Sequence, residues 1–435
     1  MIKGRGGQLN RLRRYRIGGY TLVELLVAMV SATILIAVIF SFTTSMLQED
    51  RKQEAIVQTQ EEITAALNYI AADLQEAVFI YGGRALELPH SDTGESGIGD
   101  QIPYGDVNTR PPVSSPAQER NNDKRPILVF WKRKAFAPTD TLPLMGHSEE
   151  TPRKIEVRCL GRGKPTPTTN VVNRTVPQCF GQSRYLYSLV VYYLMKDKNP
   201  NWSDGARLGR WEIMDGIKCD EPNWCVDGNK QESKVDGVLY EVPPSPGFKL
   251  FSLTGTGTVA QKMSRWQKSP SKEYDLKRNP IKVLIDHLDD TPYRDLNENN
   301  RLRLIPVAPS PERPRTTRAS VNDPPPTPEN PYSRDCDNPD RGVGVPGAGT
   351  DTQIIFAERT PTYFSNMGGG DNVYAMTSFF ACVANYGNPN QTVARVWMRG
   401  AAYSRYLQGG ARGGLNDQVL SDIRVLGRGL FNLEE

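Results

Sequence analysis

Asp295, Asn297 and Asn299, within DHLDDTPYRDLNENN (286–300), place oxygen-bearing side chains two residues apart. That is the spacing of the first half of a calcium loop. The loop's sixth position, which needs glycine for its turn, is Asn300, and its twelfth, which needs a bidentate glutamate, is Pro306. Calcium is the one cofactor left open; a plain polar loop is the other reading. Six cysteines, Cys159, Cys179, Cys219, Cys225, Cys336 and Cys382, form an even set suited to disulfides in an oxidising compartment. Of fifteen formal pairings, sequence proximity favours Cys219–Cys225 and Cys159–Cys179, leaving Cys336–Cys382. Zinc would need knuckles with two to four intervening residues, and the nearest pair, Cys219 and Cys225, has five. His90, His147 and His287 sit in no metal or nucleophile motif, and GTGT (255–258) reads as a turn. These patterns predict a non-enzymatic chain.

The remaining chemically loaded residue is Glu24, a carboxylate near the start of YTLVELLVAMV (20–30). From Leu25 to Phe42 the chain is uncharged, with only serine and threonine as polar interruptions. A helix of about 20 apolar residues crosses a bilayer core. Before it lie Lys3, Arg5, Arg11, Arg13, Arg14 and Arg16 with no acid, which predicts a cytoplasmic N-terminus. Those six account for the net charge of +4: 53 basic residues less six leaves 47 against 49 acidic ones. The remainder is therefore not a basic nucleic-acid-binding body. An ordinary secretory signal has a shorter core, followed by an A-x-A-like site. Here the small pair Gly18-Gly19 comes before the apolar run instead.

Helical periodicity continues beyond the span. Ile56, Ile63, Leu67, Ile70, Leu74 and Val78 recur in steps of seven, four and three, while Glu61, Glu62, Asp73 and Gln75 fall mostly off that stripe. With no proline or glycine from Tyr20 to Tyr81, one helix of about 60 residues is expected, stopped by Gly82-Gly83. Its amphipathic half must lie on something, most simply a sheet of the same chain.

GG|YTLVELLVAMV resembles the class III prepilin signal: a basic leader, Gly before the cut, Thr next, and Glu at the fifth mature position. The long helix resembles that of type IV pilins and type II secretion pseudopilins. QEEITAALNYIAADLQEAVF (60–79) is most similar to the PilW and GspJ group of larger minor pilins. A narrower resemblance is to the pseudopilin of cyanobacterial hormogonium polysaccharide secretion, on that helix joined to a long proline-interrupted body. Tyr20 departs from the Phe or Met usual in the family.

The resemblance implies cleavage after Gly19 by a prepilin peptidase and methylation of the new N-terminus, Tyr20. It further implies that Glu24 faces the amine of a neighbouring subunit. An intramembrane carboxylate ordinarily marks a partner. The alternative is a signal anchor with one interfacial acid.

The implied partners are the peptidase, sibling pilins packed helix on helix, an inner-membrane assembly platform and lipid. The implied place is the inner membrane, single-pass, with the C-terminal body exported into a periplasmic or surface filament. Motility or polysaccharide secretion follows from resemblance alone.

The body carries strand-like runs at 126–131, 185–195, 210–214, 282–288, 374–384, 392–403 and 417–431. A long helix followed by strands predicts α+β, with the helix packed on an antiparallel sheet. The resemblance adds two sub-sheets.

The expected organisation is a leader at 1–19, a transmembrane half-helix at 20–47, an amphipathic half at 48–83 and an exported body at 84–435. Polar, turn-rich 89–125 and the segment 306–349, with nine prolines in its first 26 positions, are expected to be projecting insertions. Trp202, Trp211, Trp224, Tyr192 and Tyr193 could form a sugar-stacking surface or pack a core. A membrane-anchored glycan- or ligand-binding module, with no filament, is the rival reading.

Overall fold

The computed structural model describes residues 19–87, 89–92, 96–103, 124–143, 154–157, 160, 184–196, 200–203, 205–218, 234–249, 259–289, 292–293, 358–359, 363–365, 373–376, 378–385, 392–402 and 418–427. In chain order these form α1 (Leu22–Gln75), β1 (Ala77–Ile80), α2 (Gly83–Glu87), β2 (Lys124–Phe136), β3 (Thr141–Pro143), β4 (Lys154–Glu156), β5 (Arg184–Met195) and β6 (Ala206–Met214). There follow β7 (Ile217–Lys218), β8 (Lys234–Val235), β9 (Val238–Val242), α3 (Val259–Ser264), β10 (Lys282–Leu288), β11 (Pro292–Tyr293) and β12 (Glu358–Arg359). The last are β13 (Tyr363–Ser365), β14 (Val373–Met376), β15 (Phe379–Asn385), β16 (Thr392–Ala401) and β17 (Gln418–Leu426).

Two compact units divide the chain, 1–54 and 55–435. In the first, the described part is residues 19–54, chiefly the apolar half of α1. Its Leu, Val, Ile, Met and Phe side chains are all more than half exposed. Its hydroxyls turn back on the helix itself: Ser31 Oγ donates to the Val27 carbonyl at 2.9 Å and Thr43 Oγ1 to that of Ile39 at 2.9 Å. Ser31, Thr33, Thr43, Thr44 and Ser45 thus satisfy their hydroxyl donors within the helix rather than presenting them to an apolar surround.

In the second unit, a nine-stranded antiparallel sheet runs β1-β2-β5-β6-β10-β16-β15-β12, with β17 also on β16. Smaller sheets are β11-β14-β13, β3-β4 and β7-β9-β8. The α+β expectation holds.

Residues 55–75 of α1 bury Ile63, Leu67, Ile70 and Leu74 with Phe130, Val190, Tyr192 and Leu194 on one face of the sheet. The opposite face packs Val129, Trp131, Leu189, Val191, Tyr193 and Trp211 beneath Phe248, Met263, Trp266 and Tyr274. Register explains the unbroken apolar run of β5. Phe130 pairs with Val190 and Trp131 with Leu189, so alternate residues feed two cores. Gly400 lets the helix in close, since a Cβ there would meet Thr59 Cγ2 at 2.4 Å and Ile63 Cδ1 at 2.6 Å.

Several expectations are corrected. The helix ends at Gln75, not at Gly82-Gly83. Residues 77–80, AVFI, pair with β2 as a strand, so Val78 leaves the helical stripe and enters the opposite core. Cross-strand pairing and burial on both faces outweigh the lack of a local helix breaker. The helical body therefore spans 48–75 rather than 48–83.

Asp73, expected off the apolar stripe, is nevertheless buried, at 7% exposure. Part of the expected 89–125 insertion is core, because Ile98 and Ile102 are fully buried. The run 374–384 divides into β14 and β15, which belong to different sheets. The segment 306–349 lies outside the described residues.

Candidate functional site

Thr21 precedes the first helical residue and acts as its cap. The Glu24 amide donates to Thr21 Oγ1 at 3.3 Å, and the Leu25 amide donates to the Thr21 carbonyl at 3.2 Å. Thr21-x-x-Glu24 is thus a capping-box sequence opening an apolar run. The carboxylate sits in the first turn, where the helix dipole favours negative charge. Reading Glu24 only as a charge seeking a partner missed this local role, although S/T-x-x-E before an apolar run was a visible signal.

Tyr20 is 77% exposed, and nothing lies within 4 Å of a Cβ built on Gly19. Gly18 lies outside the described residues.

Among the described residues one helix, α1, is long and apolar enough to cross a membrane by length and composition, and none of its most apolar 18-residue window is buried. A helix apolar all round needs lipid or other helices about it.

At the other end of α1, Asp73 is held by the sheet. Lys132 Nζ on β2 lies 2.8 Å from Asp73 Oδ1. Arg210 Nε on β6 donates to Oδ2 at 2.8 Å, and the Tyr192 hydroxyl on β5 donates to the same oxygen at 2.7 Å. Glu212 accepts from Arg210 Nη2 at 2.9 Å, and Glu76 lies 3.6 Å from Lys132.

The last turn of α1 carries no base of its own; β2 and β6 supply the cations its carbonyl end favours. Burial raises the Asp73 carboxyl, but the Arg210 and Lys132 contacts outweigh it and hold the group below its usual value. Burial also works against charged Lys132, yet its bond to Asp73 and the field of Glu212 carry it above the ordinary ammonium value. The cluster is a polar latch between helix and sheet.

The weaker candidates fall apart in space. Trp211, Tyr192 and Tyr193 are buried, so they form core and not a sugar-stacking surface; Trp202 is 43% exposed by itself among them. Trp224 lies outside the described residues.

His90 is part-buried, with Asp92 3.0 Å from Nε2 and Ser96 Oγ 3.3 Å from Nδ1. His287 adopts φ +60° at a register irregularity of β10. Its amide donates to Asp286 Oδ1, which also accepts the Ser203 hydroxyl at 2.6 Å. His147, the glycine-threonine run 255–258, and Asp295, Asn297 and Asn299 lie outside the described residues. Among the described residues, no group of three or more His, Cys, Asp or Glu could hold a metal. Cys382, fully buried on β15, is disulfide-bonded; Cys159, Cys179, Cys219, Cys225 and Cys336 lie outside the described residues.

No family model, curated protein or solved structure matches this chain. What fold and site define is an α+β body whose packed helix shares α1 with a fully exposed apolar span.

Proposed function

We propose that the protein is a structural subunit of a type IV pilus-like or type II secretion-like filament, in the manner of a minor pilin or pseudopilin. The observation that carries this reading is the apolar half of α1. Its side chains are exposed around the whole circumference, and Glu24 stands in its first turn. In the bilayer the span is solvated by lipid, and in a filament neighbouring spans replace the lipid. Cleavage after Gly19 would free the Tyr20 amine, and Glu24 of an adjacent subunit would face it. That pairing gives a buried carboxylate its counter-charge and sets subunit register.

The place of Glu24 in the first turn of α1, where the helix dipole favours an acid, supports a second reading, a membrane-anchored binding module, because it accounts for the charge without any neighbour. The discriminating experiment is co-expression of the full chain with a prepilin peptidase, followed by mass spectrometry of the N-terminus. A mature chain beginning at Tyr20, with a methylated amine, is expected. Retention of Gly18-Gly19, or a cut beyond residue 45, overturns the filament reading and leaves the anchor.

A further inference from the structure

β6 does not end at the edge of the nine-stranded sheet. Through Asp215 and Gly216 it passes directly into β7, the first strand of the small β7-β9-β8 sheet. The junction is tightly packed. A Cβ at Gly216 would meet the Val242 carbonyl at 2.5 Å, Pro244 N at 2.7 Å and Tyr240 Cδ1 at 2.7 Å. Ser245 clamps the same corner: its amide donates to the Met214 carbonyl at 2.9 Å, and its hydroxyl accepts the Met214 amide at 2.9 Å. The Asp215 amide extends the main ladder by donating to the Tyr187 carbonyl at 2.9 Å.

The Asp215 carboxyl is enclosed at this seam, 8% exposed, and receives the Gly216 amide at 2.7 Å. An ionised carboxylate with one amide donor is poorly solvated there, whereas the protonated acid is not. The groups facing it are Lys218 on β7, Tyr240 on β9 and Tyr187 on β5, with Asp236 in the β8–β9 turn acting on Tyr240 and Arg133 on Tyr187. Lys218 is exposed, and its attraction does not offset burial.

We propose that docking of the β7-β9-β8 sheet on the end of β6 is a proton-controlled joint, closed while Asp215 is protonated and loosened when it ionises. Burial raises this carboxyl from 3.8 to about 7, with the Gly216 amide and Lys218 pulling weakly the other way. The raised value belongs to the docked form. The stabilisation is therefore complete below the ordinary carboxyl range and is lost as pH rises through about 7. The joint thus answers to the acidity of the compartment in which the body resides, independently of whether the chain assembles into a filament.

The test is hydrogen exchange on the full chain in detergent micelles at pH 5.5 and 8.0, expressed as protection factors over 234–242. A drop of roughly thirty-fold at the higher pH is expected from linkage, with β5 (184–195) unchanged. Asp215→Asn is expected to stay protected at both pH values. Equal protection of the wild type at both pH values, or a pH-dependent loss in Asp215→Asn like that of wild type, overturns the proposal. Should the variant fold poorly, carboxyl-carbon NMR of aspartate-labelled wild type decides the matter. A titration of Asp215 near 7 supports the joint, and one near 4 overturns it.

Discussion

Asp73, two residues before the end of α1, lies 2.8 Å from Lys132 across the helix–sheet interface, with both side chains under 10% exposed. Arg210 and Tyr192 complete the set, so one helical carboxylate is bonded to three neighbouring strands. Removing one partner of such a buried pair leaves an uncompensated charge. Asp73→Ala is expected to lower the unfolding free energy by about 3–5 kcal/mol, measured by denaturant unfolding of the full chain in micelles. A loss below about 1 kcal/mol would show that the cluster carries no weight.

The same carboxylate fixes an acid limit. Its folded-state value lies below 3.8, so the latch is fully stabilising above 3.8 and is lost as pH falls through the folded value. Asp286, lowered by its Ser203 and His287 bonds although burial opposes them, adds in the same direction. The denaturation midpoint is expected to fall steeply below pH 4, apart from the decline that Asp215 ionisation brings as pH rises toward 7. Asp73→Asn should flatten that limb; an unchanged limb would assign it elsewhere.

Gly400 tests how closely the helix approaches β16. Gly400→Ala puts a methyl within 2.4–2.6 Å of Thr59 and Ile63, and overpacking of this kind costs about 1–3 kcal/mol. Thr59→Ser removes the nearer methyl and is expected to recover part of the loss in the double variant. No recovery in that variant would mean the strain arises away from the helix.

Capping and charge at Glu24 can be separated. Glutamine serves in a capping box as glutamate does, so Glu24→Gln keeps the local helix start and removes the charge. Peptidase cleavage is expected to persist while incorporation into pelleted filaments fails. Thr21→Ala weakens the cap by about 0.5–2 kcal/mol yet is expected to assemble. Normal assembly of Glu24→Gln would reduce the acid to a capping residue.

Cys382 offers a covalent test. Peptide mapping without reduction is expected to recover it joined to Cys336, alongside Cys219–Cys225 and Cys159–Cys179. A different partner for Cys382 would replace the proximity pairing while keeping its bonded state.

Much of this protein is local and therefore visible in one dimension. The uncharged run from Leu25 to Phe42 is too long for a strand and reads as a helix in an apolar surround. Most strands were equally legible, since runs such as PILVFW and RWEIM satisfy β preference with no help from afar. The lower stripe of α1 was also correct for Ile63, Leu67, Ile70 and Leu74, because period alone assigns a face.

Tertiary structure decided what period cannot encode. Ala77–Ile80 became a strand because β2 offered it backbone partners and a second core. Asp73 was turned inward because cations 59 and 137 residues away met it there. Tyr192 and Tyr193 were divided between opposite faces of one strand, which turned a seeming aromatic platform into two interiors. Sequence fixes which groups are available and how they alternate; only folding decides which distant group compensates a buried charge.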